Sequence, residues 1–382
     1  MGRGILGVGI TSTELTDLER SILRDLTPYA VVLFGRNIDT AAQLQDLIGE
    51  IRSSSSTPPL LMIDEEGGRV DRLRHILPGL PSAEAFREGE RSEELVEEFG
   101  GVIGRLLRHF EIEVNLAPVV DIGHLPETPG LERRCFGDTA ELVSNLGGRF
   151  IRAHQHAGSA VCLKHFPGMG YGTGDPHYGA SVIDIPVEQI VTEELMPYVR
   201  LGEEAEAIMI GHASYPQIDG PNLPASLSYK IATELLRDVV GFSGVAISDD
   251  MEMHAVADLG SFEETAERAL LAGNDVVLFC SHIERIPALT EFLEKKAAVD
   301  DRFSGRVREA EARAVRFRRH AERLVKAAAP VELARIAADA EKLYERLQDA
   351  RFKDQPPLVP AVDRRQYSRT PGTGKTGREE WT

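Results

Sequence analysis

Eight short apolar runs, each bounded by turn-forming residues, recur along the first three quarters of the chain: GILGVGI from Gly4, YAVVLF from Tyr29, PLLMID from Pro59, IEVNLAPVVD from Ile112, AVCLKH from Ala160, AIMIGH from Ala207, GVAISD from Gly244 and DVVLF from Asp275. Their near-continuous Val, Ile and Leu content is that of strands buried on both faces. Between them lie segments with apolar residues at helical spacing and charged residues opposite, among them ELTDLERSILRDL, AAQLQDLIGEIR, SEELVEEFGGVIGRLLRHF, AELVSNLGGRFIRAHQHA and SFEETAERALLAG. Strand and helix thus alternate eight times. Doubly buried strands separated by helices form a parallel sheet, and eight such units predict closure into an α/β fold of the (β/α)8 TIM-barrel type; a doubly wound open sheet is the second reading.

A barrel of this kind gathers ligand-binding residues at the C-terminal ends of its strands. Those ends carry Asp64, Asp121, Lys164 with His165, His212 and Asp249, while the strand interiors are aliphatic. Polar residues collected at one end predict a polar pocket there.

The barrel is expected to occupy residues 1–300 as a single domain. Residues 301–352, rich in Ala, Arg, Glu and Leu, read as one or two amphipathic helices interrupted near Pro330, a helical extension that packs on the barrel or on a partner. Residues 353–382, with QPPLVP and RTPGTGKTGREEWT, have the composition of a disordered tail. GTGKTG lacks the preceding strand and the full spacing of a phosphate-binding loop.

Charge narrows the partners. Sixty-one acidic against 43 basic residues give a formal charge of −18, which disfavours a broad nucleic-acid-binding surface. Three widely spaced cysteines, Cys135, Cys162 and Cys280, without a CxxC pair suggest neither a disulfide framework nor a zinc knuckle. The opening MGRGILGVGITST has no cleavage pattern, and no later run is long enough to span a bilayer. Together these features predict a soluble cytoplasmic protein with no membrane association; the oligomeric state is left open.

Two stretches carry the chemistry. The first runs from Lys164 to His177 (KHFPGMGYGTGDPH), a strand end followed by a Gly-rich loop with an Asp-x-His pair. A carboxylate at Asp175 that fixes one imidazole nitrogen of His177 leaves the other free for proton transfer. The second is VAISDDMEM from Val245, an apolar strand ending in two acids. Asp249, first at the strand end, is placed to face the barrel mouth, and Asp250 is expected to cap the following helix. A pocket carboxylate opposite a proton donor suits displacement at an anomeric carbon.

These stretches, taken with DEEGGRVDRL from Asp64, NLAPVVDI from Asn115, RCFG from Arg134, PASLS from Pro224 and GFSGVAISDDMEM from Gly241, resemble the bacterial β-N-acetylhexosaminidase branch of glycoside hydrolase family 3 over residues 5 to 290. The resemblance implies a TIM barrel without metal or other cofactor, a small carbohydrate substrate, and retaining, exo-acting hydrolysis of terminal β-linked N-acetylglucosamine. It further implies a cytoplasmic role in recycling cell-wall peptidoglycan fragments. It makes Asp249 the nucleophile, His177 the general acid/base and Asp175 its orienting partner. Asp64, Arg72, Arg134, Lys164 and His165 correspond to residues that hold sugar hydroxyls.

Two positions depart from the family's pattern: Met169 stands where His is usual, and Pro176 where Ser is usual. Met donates no hydrogen bond, and Pro restricts Asp175 to extended backbone. Three other readings follow. A β-N-acetylglucosaminide phosphorylase would use the neutrality of a deprotonated histidine to admit phosphate, with Lys164 offsetting its charge. An inactive sugar-binding homologue is the second. A metal-dependent hydrolase using Lys164, His165, His212 and Asp275 is the third; it lacks the His-x-His that such enzymes place on strand one.

Overall fold

A computed structural model of the chain describes residues 3–77, 79–89, 91–125, 128–173 and 181–351. The eight apolar runs form nine strand segments: β1 (Leu6–Gly9), β2 (Ala30–Leu33), β3 (Leu60–Ile63), β4 (Val114–Asn115), β5 (Ala160–Val161), β6 (Leu163–Phe166), β7 (Ala207–Ile210), β8 (Val245–Asp250) and β9 (Val276–Phe279). All pair in parallel, in the order β5-β4-β3-β2-β1-β9-β8-β7-β6. The two ends of that order, β5 and β6, are one strand divided at Cys162, so the sheet closes on itself. Leu163 to Phe166 pair with β7 on one side, while the extension of β4 reaches across from the other, Val119 bridging Lys164. The expected barrel is the fold observed.

The strands alternate their burial between two cores, as a closed barrel requires. Val32, Met62, Val114, Leu116, Met209, Ile247 and Leu278 pack inside the barrel, whereas Val31, Leu61, Ile63, Leu163, Ile208 and Ala246 pack outward among the helices. The main surrounding helices are α1 (Asp17–Leu26), α2 (Ala41–Ser53), α3 (Ser92–His109), α4 (Ala140–His156), α5 (Met196–Ala205), α6 (Lys230–Val239, wound as a π-helix), α7 (Phe262–Ala272) and α8 (Ile286–Val299). Thr16, Thr40, Thr139 and Ser261 cap α1, α2, α4 and α7 through their hydroxyls, which explains why these helices begin where they do.

Two more helices follow, α9 (Asp301–Ala327) and α10 (Leu333–Arg351). Ala314, Phe317 and Ala321 of α9 join the interior core, Tyr29 Oη donates to the Ala314 carbonyl at 2.9 Å, and Arg318 reaches the Tyr29 carbonyl at 2.7 Å. Those contacts lie at the starts of the strands, so α9 closes the N-terminal mouth and leaves the other mouth for ligand. Helix α10 lies on α3, with Ile336, Leu343 and Leu347 buried and Arg346 paired to Glu94 and Glu98. Among the described residues no helix is long and apolar enough to cross a membrane.

Candidate active site

At the C-terminal mouth a cleft of about 410 Å3 is lined by Asp64, Glu66, Arg72, Arg134, Lys164, His165, Asp249 and their neighbours. Six expected site residues are therefore brought together: Asp64, Arg72, Arg134, Lys164, His165 and Asp249. Asp175 and His177 lie outside the described residues. The wall comes from strands far apart in sequence, and each contributes where its apolar run stops. Consecutive residues of a regular strand face opposite sides, but the β6–β7 register shifts between Leu163 and Phe166, and both Lys164 and His165 line the cleft.

Its floor is an ionic network. The Lys164 ammonium meets Asp64 Oδ1 at 2.6 Å and Glu66 Oε1 at 2.5 Å. Arg134 grips Glu66 with two bonds, Nε to Oε2 at 2.7 Å and Nη2 to Oε1 at 2.8 Å. Burial by itself raises the Glu66 carboxyl, but Lys164 and Arg134 outweigh it and hold the group far below the usual carboxylate range. Glu66 was not among the expected site residues, although it is the third acid of Asp64-Glu65-Glu66. Its neighbour Glu65 turns away and uses Oε2 to accept from the Arg72 and Leu73 N–H groups, folding the loop so that Arg72 reaches the cleft. Arg72 lies 5.8 Å from the centre of the Phe34 ring, and among the described residues its Nε has no hydrogen-bond partner. Lys164 is shared by two carboxylates.

His165 is oriented by Asp121, whose Oδ2 lies 2.7 Å from Nδ1. The other ring nitrogen, Nε2, faces Arg134 Nη2 at 3.4 Å. Asp121 also accepts from the Met169 N–H at 2.9 Å. The Met169 side chain packs with Val119, Leu131 and Cys135 beside the cleft.

The two acids of β8 are held in different states. Asp249 Oδ1 accepts the Asp250 N–H at 2.8 Å. Burial pushes its carboxyl up, yet the imidazoles of His212 and His165, the Asp250 N–H and the Lys164 ammonium together bring it below its ordinary value. Asp250 is pushed up to about 7, by burial first and then by Glu252 and Asp249. Opposite shifts in neighbouring carboxyls mark one as an anion at neutral pH and the other as a group that holds its proton more readily. Asp250 is not the helix cap expected from its position. The short helix that follows, His254–Ala257, has Met253 at its N-cap, and Asp250 Oδ1 instead accepts from Glu252 N at 3.1 Å and Cys280 N at 3.2 Å, tying β8 to β9.

His212 supports this end. Its Nε2 meets the Asp250 carbonyl at 2.9 Å, so Nε2 carries the proton and Nδ1 is left to accept from Ser226 Oγ at 2.7 Å. Burial lowers its basicity. The metal-binding set considered above does not assemble. His165 and His212 line the cleft, but Asp275 immediately precedes β9 at the opposite end of the barrel, bound to Arg237, Arg306 and Arg313.

A closed parallel barrel whose C-terminal mouth gathers a carboxylate anion beside buried donors and acceptors has its cleft where enzymes of this architecture place their active sites. The chain matches the glycosyl hydrolase family 3 N terminal domain over residues 8–310. It is 35% identical over 280 residues to a beta-hexosaminidase of Pseudomonas aeruginosa strain LESB58, covering 73% of this chain and 83% of the relative, and 33% identical over 279 residues to one of Idiomarina loihiensis, covering 72% and 83%. Among solved structures, a glycoside hydrolase family 3 beta-N-acetylglucosaminidase from Paenibacillus sp. str. FPU-7 superposes with a TM-score of 0.80 at 29% identity, covering 90% of this chain and 67% of that one. A beta-N-acetylhexosaminidase from Beutenbergia cavernae gives 0.73 at 26%, covering 82% and 96%. The chain belongs to glycosyl hydrolase family 3 and is a glycoside hydrolase.

Proposed function

We propose that this enzyme is an exo-acting β-N-acetylglucosaminidase that works with retention, with Asp249 as nucleophile. The observation that carries the reading is the pair at the end of β8: Asp249 lines the cleft as an anion, while its neighbour is held toward the neutral form. An ionised carboxylate facing the cleft from a strand end attacks the anomeric carbon as the bond to the leaving-group oxygen breaks. His177, oriented by Asp175, gives that oxygen its proton. It then takes a proton from water as water displaces Asp249. Asp64, Lys164, Arg134, His165 and Arg72 hold the sugar hydroxyls, since carboxylates accept from hydroxyls and Lys and Arg donate to them. The names of the relatives support the N-acetylglucosaminide as substrate. Terminal sugars of peptidoglycan fragments in the cytoplasm are the natural source we infer.

The test is to trap the intermediate with a fluorinated N-acetylglucosaminyl fluoride and to locate the sugar by peptide mass spectrometry. A sugar adduct on Asp249 is expected, together with retained β configuration in the product. An adduct on Asp250, or an inverted product without adduct, overturns the assignment.

A further inference from the structure

The run from Gly168 to Thr173 joins the Lys164–His165 strand end to the segment that carries Asp175 and His177, and it is bound along its whole length. Tyr215 Oη donates to the Gly168 carbonyl at 2.6 Å, the Met169 N–H to Asp121 at 2.9 Å and Thr128 Oγ1 to the Gly170 carbonyl at 2.9 Å. Thr173 and Val182, on either side of the Asp175–His177 segment, exchange N–H to carbonyl bonds of 3.1 and 3.0 Å.

Beneath this run lies a pair with no part in the reaction as written above. His124, from the loop after β4, places Nε2 2.5 Å from Oε1 of Glu194. Its imidazole is stacked on the Tyr171 ring, with centroids 3.9 Å apart and planes 17° from parallel. Gln189 donates to Tyr171 Oη at 2.8 Å and holds the far edge of that ring. The backbone is pressed onto the pair at two glycines. A Cβ on Gly170 would fall 1.9 Å from the Ile122 carbonyl oxygen and 2.9 Å from the His124 ring; one on Gly168, where φ is +125°, would fall 2.5 Å from Glu194 Oε2.

The Glu194 side chain is 1% exposed, and among the described residues its ion-pair partner is His124. Burial raises its carboxyl, and His124 opposes that shift. Burying a carboxylate is costly unless it is paired, so the contact with His124 fixes where both groups sit.

We propose that His124 and Glu194 form a positioning pair which, through Tyr171 and the two glycine contacts, sets the direction in which the chain leaves for His177 and so aims the acid/base at the leaving-group oxygen. This rests on the reading of His177 as proton donor. A misaimed acid harms substrates whose leaving group needs a proton and spares those whose leaving group departs as an anion.

The experiment compares phenyl and dinitrophenyl N-acetyl-β-glucosaminides on His124→Ala, on the charge-neutral double variant His124→Gln/Glu194→Gln, and on His177→Ala, with folding followed by thermal melting. In the pair variants kcat/KM on the phenyl glycoside is expected to fall by about 30-fold, a part of the roughly 100-fold or more that a general acid supplies. The dinitrophenyl glycoside should change by less than about 3-fold, the same steepened leaving-group dependence being seen in His177→Ala. The double variant avoids a lone buried charge, so it reports on positioning even where His124→Ala melts early. Equal losses on both glycosides, or none on either, in a folded pair variant overturn the positioning role. A flat response in His177→Ala overturns the acid/base assignment and this proposal with it; a steep response there beside a flat one in the pair variants overturns the pair alone.

Discussion

At both ends of the barrel, carboxylates are buried against strong cations, yet the two clusters use those cations differently. At the N-terminal end one carboxylate, Asp275, accepts Arg306 at 2.5 Å and Arg313 at 3.0 Å on Oδ1, and Arg237 at 2.8 Å and the Ala246 N–H at 2.9 Å on Oδ2. Much of the remaining donor capacity of Arg237 and Arg306 goes to backbone carbonyls, those of Phe242, Gly244, Leu270, Gly273 and Asn274. This cluster staples helices to strand starts. At the C-terminal end, Lys164, Arg134, Asp64 and Glu66 are satisfied mainly by one another, and all four line the cleft. Side chains that bond side chains can exchange partners with an arriving sugar without disturbing the backbone. Burial and charge are therefore common to both ends, and the partner of each cation distinguishes the site from the staple.

The largest effect that can break this comparison lies at the cleft. Asp249→Ala is expected to lower kcat by at least about four orders of magnitude, because it removes the attacking atom. The melting temperature should change little, since among the described residues the Asp249 carboxylate accepts one neighbouring N–H. Azide added to this variant should give the α-azide of the sugar if the carboxylate was the attacking group. Substantial residual turnover without added nucleophile would remove Asp249 from the reaction.

The reverse pattern is expected at the staple. Asp275→Ala removes a fully buried carboxylate and leaves three half-buried guanidinium groups without their shared partner. Breaking a buried ion pair by deleting one partner costs on the order of 3–5 kcal/mol. Denaturant unfolding should show that loss while kcat/KM of the folded fraction stays near wild type. A large fall in kcat/KM at full folding would mean that the two ends are coupled and that the contrast between them is false.

How much of this was legible in the sequence differs between the two levels. The barrel was readable because a doubly buried strand needs an unbroken aliphatic run, and eight such runs with polar ends leave few architectures. The positions of Asp64, Lys164, His165 and Asp249 at the mouth followed from the same ends. Glu66 was not readable, because three consecutive acids have the same chemistry on paper and only the turn made by Glu65 decides which one meets Lys164 and Arg134. Nor was the His124–Glu194 contact, whose members stand 70 residues apart and belong to no motif. Asp250 misled for a physical reason: an acid shortly before a helix looks like a cap, whereas here its oxygen is drawn to the Cys280 N–H just past the end of the next strand.

That same residue supplies the smallest and sharpest test. The folded-state carboxyl of Asp250 is pushed up to about 7 from an ordinary value of 3.8. A raised carboxyl favours folding in its protonated form, so its contribution is fully present below pH 3.8 and is lost as pH climbs through about 7. Asp250→Asn keeps an oxygen able to accept from Glu252 N and Cys280 N but cannot ionise. Relative to wild type, the Asn variant should therefore gain melting temperature between pH 5 and pH 8, by on the order of a few degrees. Turnover should remain within about tenfold of wild type, because Asp250 orients its neighbour and does not attack. Melting curves that stay parallel across that range would show that burial does not hold the proton on Asp250. A loss of turnover as severe as that of Asp249→Ala would mean that the roles of the two acids are exchanged.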